Sequence, residues 1–201
     1  MSEAALTLSI IAKGSLFSTT RPISGDSGLL DIKRLSESGE VSTSSRIGAH
    51  YHVDTTDAYI KHLLSYVEVD KLKNFKIVCN AGNGGAGRII DALEPHLPFE
   101  FIKLHHDADG HFPNGVPNPL LVENRAHTSD RVRSENAQMG IAWDGDFDRC
   151  FFFDGDGRFI EGYYIVGLLA EVFLSRSGPQ RIVHDPRLTW NTQDITSSWG
   201  G

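Results

Sequence analysis

From Asp54 onward, short runs of β-branched and aromatic residues alternate with stretches whose apolar residues recur at helical spacing. That alternation restricts the chain to an α/β fold with a sheet at least partly parallel. The strand-like runs are Phe75–Asn80, Phe99–Leu104, Met139–Trp143, Cys150–Phe153 and Arg181–His184. Helical patterns run from Asp54 to about Val67, Arg88 to His96, Val122 to Ala137 and Tyr163 to Leu174. The first 50 residues are rich in Ser, Thr and Gly. They offer only a short amphipathic helix within Ser27–Ser36 and a polar stretch, Ser36–Ser45, that reads as a solvated loop.

With 40% hydrophobic residues among 201, the chain can bury a real core. Its net charge of −7 argues against a nucleic-acid or anionic-membrane surface, which needs a basic face. No run of 18 apolar residues exists to span a bilayer. The apolar stretch Ala4–Ala12 follows Ser2 and Glu3 without a positive charge, unlike a secretory leader, so a cytoplasmic location is expected. Two cysteines, Cys79 and Cys150, exclude a disulfide framework and a four-thiolate zinc site, and both read as small buried hydrophobes.

In open α/β sheets, ligands collect where strands deliver their C-terminal ends into loops. The loop after Trp143 reads Asp144-Gly145-Asp146-Phe147-Asp148-Arg149. Carboxylates at alternate positions of a turn converge if the loop wraps around a point. Two like charges about 4 Å apart repel by about 1 kcal/mol in water and about 4 kcal/mol at an effective dielectric of 20. A divalent cation removes that repulsion, and an all-oxygen donor set favours Mg²⁺, Mn²⁺ or Ca²⁺ over zinc or copper. Arg149 adds a fork suited to phosphate oxygens. The plain alternative is a solvated acidic turn. An EF-hand is excluded, because the sixth position from Asp144 is Arg149 rather than Gly and the twelfth is Gly155 rather than Glu. A haloacid-dehalogenase-type phosphatase, with Asp144 as nucleophile, is an enzymatic alternative. Its usual Thr or Val is here replaced by Asp148.

Gly82, Gly84 and Gly87 after the first strand fit G-x-G-x-x-G, but no acidic ribose ligand closes a second strand, so close strand-to-helix packing is the expected use. His105-His106-Asp107-Ala108-Asp109-Gly110-His111 matches no zinc spacing and reads as a crowded loop. His184-Asp185-Pro186-Arg187 places Arg187 on a loop as a second anion contact.

The motifs Arg21–Gly28, Asn80–Gly84, Asp109–Pro119, Asp144–Arg149, Phe159–Tyr164 and His184–Thr192 together resemble bacterial phosphomannomutases of the α-D-phosphohexomutase superfamily, from about Arg21 to Ile195 in family order. The resemblance implies a three-layer α/β domain, residues 51–158, with a mixed sheet covered by helices on both faces. Residues 1–50 would be a remnant of a first domain, 1–20 of it unmatched, and residues 159–201 the start of a third. It further implies that Asp144, Asp146 and Asp148 hold Mg²⁺, that Arg149 faces the phosphoserine and sugar phosphate, and that Arg187 contacts the transferring phosphoryl group. The implied reaction converts mannose 6-phosphate to mannose 1-phosphate through a phosphoserine and a bisphosphorylated sugar. The family's Thr-Ala-Ser-His-Asn-Pro serine motif has no counterpart in Met1–Thr20. The chain is accordingly expected to be an incomplete family member without activity of its own; a non-catalytic metal-binding module is the other reading.

Overall fold

The computed structural model describes residues 17–18, 21–39, 48–49, 51–187 and 189–200. They fall into two compact units, Met1–Asp54 and Thr55–Gly201. In the first unit, β1 (Phe17–Ser18) pairs antiparallel with β2 (Arg21–Pro22), and α1 (Leu29–Ser38) follows. Helix α1 ends where Gly39, at φ 68°, donates its N–H to Leu35 O over 3.1 Å. Ser36–Ser38 thus complete a helix rather than open a loop. The rest of the expected loop, from 40 to 45, and the stretch Ala4–Ala12 lie outside the described residues.

The second unit holds α2 (Thr56–Leu64), β3 (Lys76–Asn80), α3 (Ala86–Leu93), β4 (Glu100–Leu104), α4 (Ala126–Glu135), β5 (Met139–Trp143), β6 (Cys150–Phe153), β7 (Phe159–Ile160), α5 (Gly162–Ser177) and α6 (Trp190–Ser198). The strands form one sheet in the order β4-β3-β5-β6-β7. Strand β3 runs parallel to both β4 and β5, while β6 and β7 continue antiparallel.

A strand with parallel neighbours on both sides is covered on both faces, and β3 shows it residue by residue. Ile77 and Cys79 pack with Ala86 and Ile90 of α3 on one face. Val78 packs with Val132 of α4, Ala142 and Phe153 on the other. The fold is therefore a three-layer α/β arrangement around a mixed sheet. Arg125, just before α4, donates from Nε to Pro119 O over 2.9 Å, and its guanidinium lies 3.6 Å from the Phe159 ring centroid.

Two expectations are corrected. Arg181–His184 is not a strand: residues 181–185 have no regular structure, and Val183 is 98% exposed. The β-branched pair there lies between Pro179 and Pro186 with no neighbouring strand to satisfy its backbone, and β-propensity is expressed only against one. The fifth strand is instead the two-residue β7. The cysteines also differ from each other. Cys79 is buried and its thiol is pushed up to about 12, first by burial and then by Glu94; Cys150 is exposed. A native thiol titration should therefore register Cys150 alone, with Cys79 reacting only on unfolding; rapid reaction of both would contradict this packing. Among the described residues, no helix is long and apolar enough to cross a membrane.

Candidate metal centre

Strand β3 sends its helix toward β4 on one side, and the chain then crosses over to place β5 on the other. The C-terminal ends of β3 and β5 therefore lie side by side at a topological switch point, where this class of sheet places ligands. Two loops meet there, the glycine loop after Asn80 and the acidic bend after Trp143.

The acidic bend closes the antiparallel pair Trp143↔Cys150. Asp144 is 2% exposed. Its Oδ1 accepts the Arg149 backbone N–H over 3.2 Å, and its Oδ2 accepts Arg149 Nε at 2.6 Å and Nη2 at 2.5 Å. Arg149 also reaches Asp148 Oδ1 at 3.4 Å, and these carboxylates, Asp144 foremost, raise its pKa and keep it charged. Phe147 sits in the left-handed region at φ 49°, a conformation a bulky side chain adopts only when its surroundings enforce it. Here its ring is held in the apolar cluster beneath the bend. With Phe147 turned inward, Asp146 and Asp148 are left exposed. One carboxylate oxygen from each of Asp144, Asp146 and Asp148 lies within 4.8 Å of the others. Among the described residues this is the sole group of three or more His, Cys, Asp or Glu side chains so placed.

The glycine loop is pressed against this bend. Gly85 donates its N–H to Gly145 O over 3.1 Å. A Cβ on Gly84 would stand 2.3 Å from Gly145 O, which backbone cannot yield, and one on Gly85 would meet the Phe147 ring at 2.6 Å. Gly84 and Gly85 thus serve close packing of loop against bend, rather than the strand-to-helix packing expected of the glycine motif. Gly84→Ala is expected to cost about 1–3 kcal/mol of stability, the range for an overpacked site, and to weaken divalent-cation binding along with it. Urea unfolding and a cation titration on the same variant check this, and wild-type values in both would contradict the contact.

The residues singled out in the sequence separate in space. Asp144, Asp146 and Asp148 come together, with Arg149 engaged on Asp144. Arg187 lies between α5 and α6, and its hydrogen bonds go to Asp185, from Nε at 2.9 and 3.1 Å and from Nη2 at 2.5 Å. Those bonds hold the Asp185 carboxyl down to about 2. The histidines of the 105–111 loop share no point: His105 meets His127, His106 meets Asp91 and His111 meets Asp109. The inward turn at Phe147 had no signal in the sequence beyond the flanking aspartates.

The donor set suits a hard divalent cation. It is all oxygen, and three carboxylates with one guanidinium leave two negative charges for the ion to cancel.

The phosphoglucomutase/phosphomannomutase alpha/beta/alpha domain II family matches residues 57–157. Phosphohexose mutases of Xanthomonas campestris pv. campestris are 54% identical over 181 residues, covering 90% of this chain and 40% of the relative. Phosphomannomutase of Salmonella typhimurium is 55% identical over 189 residues, covering 90% of this chain and 41% of the relative. A crystal structure of a phosphoglucomutase/phosphomannomutase family protein from Burkholderia thailandensis aligns with a TM-score of 0.76 at 30% identity, over 89% of this chain and 38% of that one. The chain thus spans about 40% of the length of the curated relatives it matches. Because the matched half contains both the glycine loop and the carboxylate bend that meets it, this chain belongs to the phosphoglucomutase/phosphomannomutase family.

Proposed function

We propose that the chain supplies the metal-holding part of a phosphohexomutase, with residues 51–158 as the central domain and segments of neighbouring domains on either side. The observation that carries this reading is the convergence of Asp144, Asp146 and Asp148 within 4.8 Å at the switch point of the sheet. These three carboxylates would hold Mg²⁺. When bound, the cation withdraws charge from a phosphoryl oxygen.

The chain's own residues do the positioning. Asp144 is fixed by burial and by three bonds from Arg149. Arg149 retains Nη1 for a phosphate oxygen while its Nε and Nη2 are held by Asp144. Arg187 has the same disposition on Asp185 and offers a second phosphate contact. The substrate class is a hexose phosphate, mannose 6-phosphate and mannose 1-phosphate in the reading that the named relatives support. The phosphoserine donor of the family has no matching motif in this sequence, so the donor is no part of what is assigned to these residues. A phosphatase with Asp144 as nucleophile fits less well, because Asp144 Oδ2 already accepts two guanidinium bonds.

Transplanting residues 57–157 into the phosphomannomutase of Salmonella typhimurium tests the reading. The chimera should retain turnover within about tenfold of the parent, and Asp146→Asn within it should abolish turnover. A folded chimera that is inactive, or whose activity ignores Asp146, would overturn the assignment.

A further inference from the structure

The segment Asp109–Pro119 plays no part in any step above, yet it is fastened to the glycine loop through Asn83, the residue before Gly84. Asn83 donates its N–H to His105 O over 2.7 Å, and its carbonyl accepts the Asp109 N–H over 2.9 Å. Its side chain completes the attachment: Nδ2 donates to Asp107 O and Oδ1 accepts from Asn114 Nδ2, each over 2.8 Å. Bonds from one residue thus grip the chain on both sides of Phe112.

Phe112 itself stands in the left-handed region at φ 48°. A turn closes around it, with its N–H donated to Asp109 O and its carbonyl accepting the Gly115 N–H, both over 2.9 Å. Strain of this kind persists only where the surroundings over-determine it, and it gathers where a side chain must be aimed. The ring is aimed at the acidic bend. A Cβ added to Gly145 would stand 3.1 Å from Phe112 Cζ and 3.4 Å from its Cε1, so the rim of the ring closes over Gly145. Gly145 links Asp144 to Asp146, and its carbonyl is already held by the Gly85 N–H over 3.1 Å. The link between two of the three carboxylates is therefore gripped twice, at its oxygen by the glycine loop and at its Cα by Phe112.

We propose that Phe112 is a positioning residue of the cation site, its ring holding the Gly145 turn closed so that the carboxylates of Asp144 and Asp146 converge before an ion arrives. It acts through Gly145 rather than on the ion. Groups fixed in advance lose less freedom on binding, so the strain at Phe112 returns as affinity. The inference rests on the phosphohexomutase reading for the identity of the ion, and deepens it by naming what shapes the site.

Phe112→Gly on the whole chain separates positioning from plain packing, because glycine keeps the left-handed backbone at no steric cost and removes only the ring. Without a cation, its urea midpoint should stay near that of wild type. Calorimetric titration with Mg²⁺ should show affinity about tenfold weaker, the lower end of what loss of a supporting group costs a metal site. Phe112→Tyr should restore it. In the metal-free samples, hydrogen exchange at the Gly85 amide should be several-fold faster in Phe112→Gly, since the bend that supplies its acceptor is released. Asn83→Gly, which keeps its own backbone conformation and frees the segment from two bonds, should shift both readouts the same way, and serves alone if Phe112→Gly does not fold. Wild-type Mg²⁺ affinity or wild-type Gly85 exchange in the variant would overturn the proposal, as would a lowered midpoint with unchanged affinity. If wild type itself takes up no Mg²⁺, the mutase reading fails, and Gly85 exchange, read without any cation, still decides whether Phe112 holds the bend.

Discussion

Asp146→Asn is expected to weaken Mg²⁺ binding by about 100-fold or more without unfolding the chain. Loss of a group that merely orients a metal ligand costs about 10–100-fold in affinity, so loss of a ligand itself falls at or beyond the top of that range. Asp146 is exposed and makes none of the bonds that hold the bend, which come from Asp144, Arg149 and Gly85. Its neutralisation also removes one negative charge from a crowded trio, so the metal-free protein should be as stable as wild type or slightly more so. The contrast appears when the cation is added. At a concentration 100 times its dissociation constant, a ligand bound only by the native state adds about 2.7 kcal/mol of stability. Urea unfolding with and without Mg²⁺ should show that increment in wild type and lose it in Asp146→Asn. A variant that keeps the increment would remove Asp146 from the site. Asp144→Asn is a harsher change, since it also strips the buried partner from Arg149.

The second large effect is expected at Phe153, in the core between the sheet and α4. Its side chain is fully buried, in a cluster with Val78, Val132, Ala142 and Ala137, and its ring meets Phe159 edge-on at 5.5 Å and 82°. This cluster joins β3, β5 and β6 to α4, so it holds the layer on one face of the sheet together. Truncating a buried phenylalanine to alanine costs about 3–5 kcal/mol, from lost transfer energy plus the cavity left behind. Against a typical total of about 5–15 kcal/mol, Phe153→Ala should bring the second unit near its unfolding threshold. Denaturant unfolding followed by circular dichroism reads the shift directly. A loss below about 1 kcal/mol would mean that the cluster collapses around the gap or that the packing described is wrong.

Much of the sheet was legible because each element there has a strong local pattern. The β-branched run at Ile77-Val78 and the apolar run at Met139–Trp143 are strands at the expected places. What escaped was structure decided by neighbours. Arg181–His184 has strand-forming residues but no strand to pair with. Trp190–Ser198 is helical although Asn191, Thr192, Asp194 and Thr196 are poor helix formers. Its burial against α5, through Thr192 and the Asn191 bond to Tyr163, outweighs that propensity. Strand β7 is two residues long, below any periodicity. At the site, alternate aspartates announced a convergent bend, yet nothing announced that Phe147 would turn inward to produce it. Nor did anything in the sequence announce that Arg149 would engage Asp144 through Nε and Nη2.

The contact between Gly84 and Gly145 has a consequence for variation. An atom added at Gly84 would run into the backbone of Gly145, so the glycine turn cannot gain one unless the acidic bend shifts with it. Sequence drift in this region is thereby channelled to side chains that point away from the contact. Homologous chains that keep the carboxylate trio should accept changes at those outward positions freely, and at Gly84 only where the facing bend has moved away.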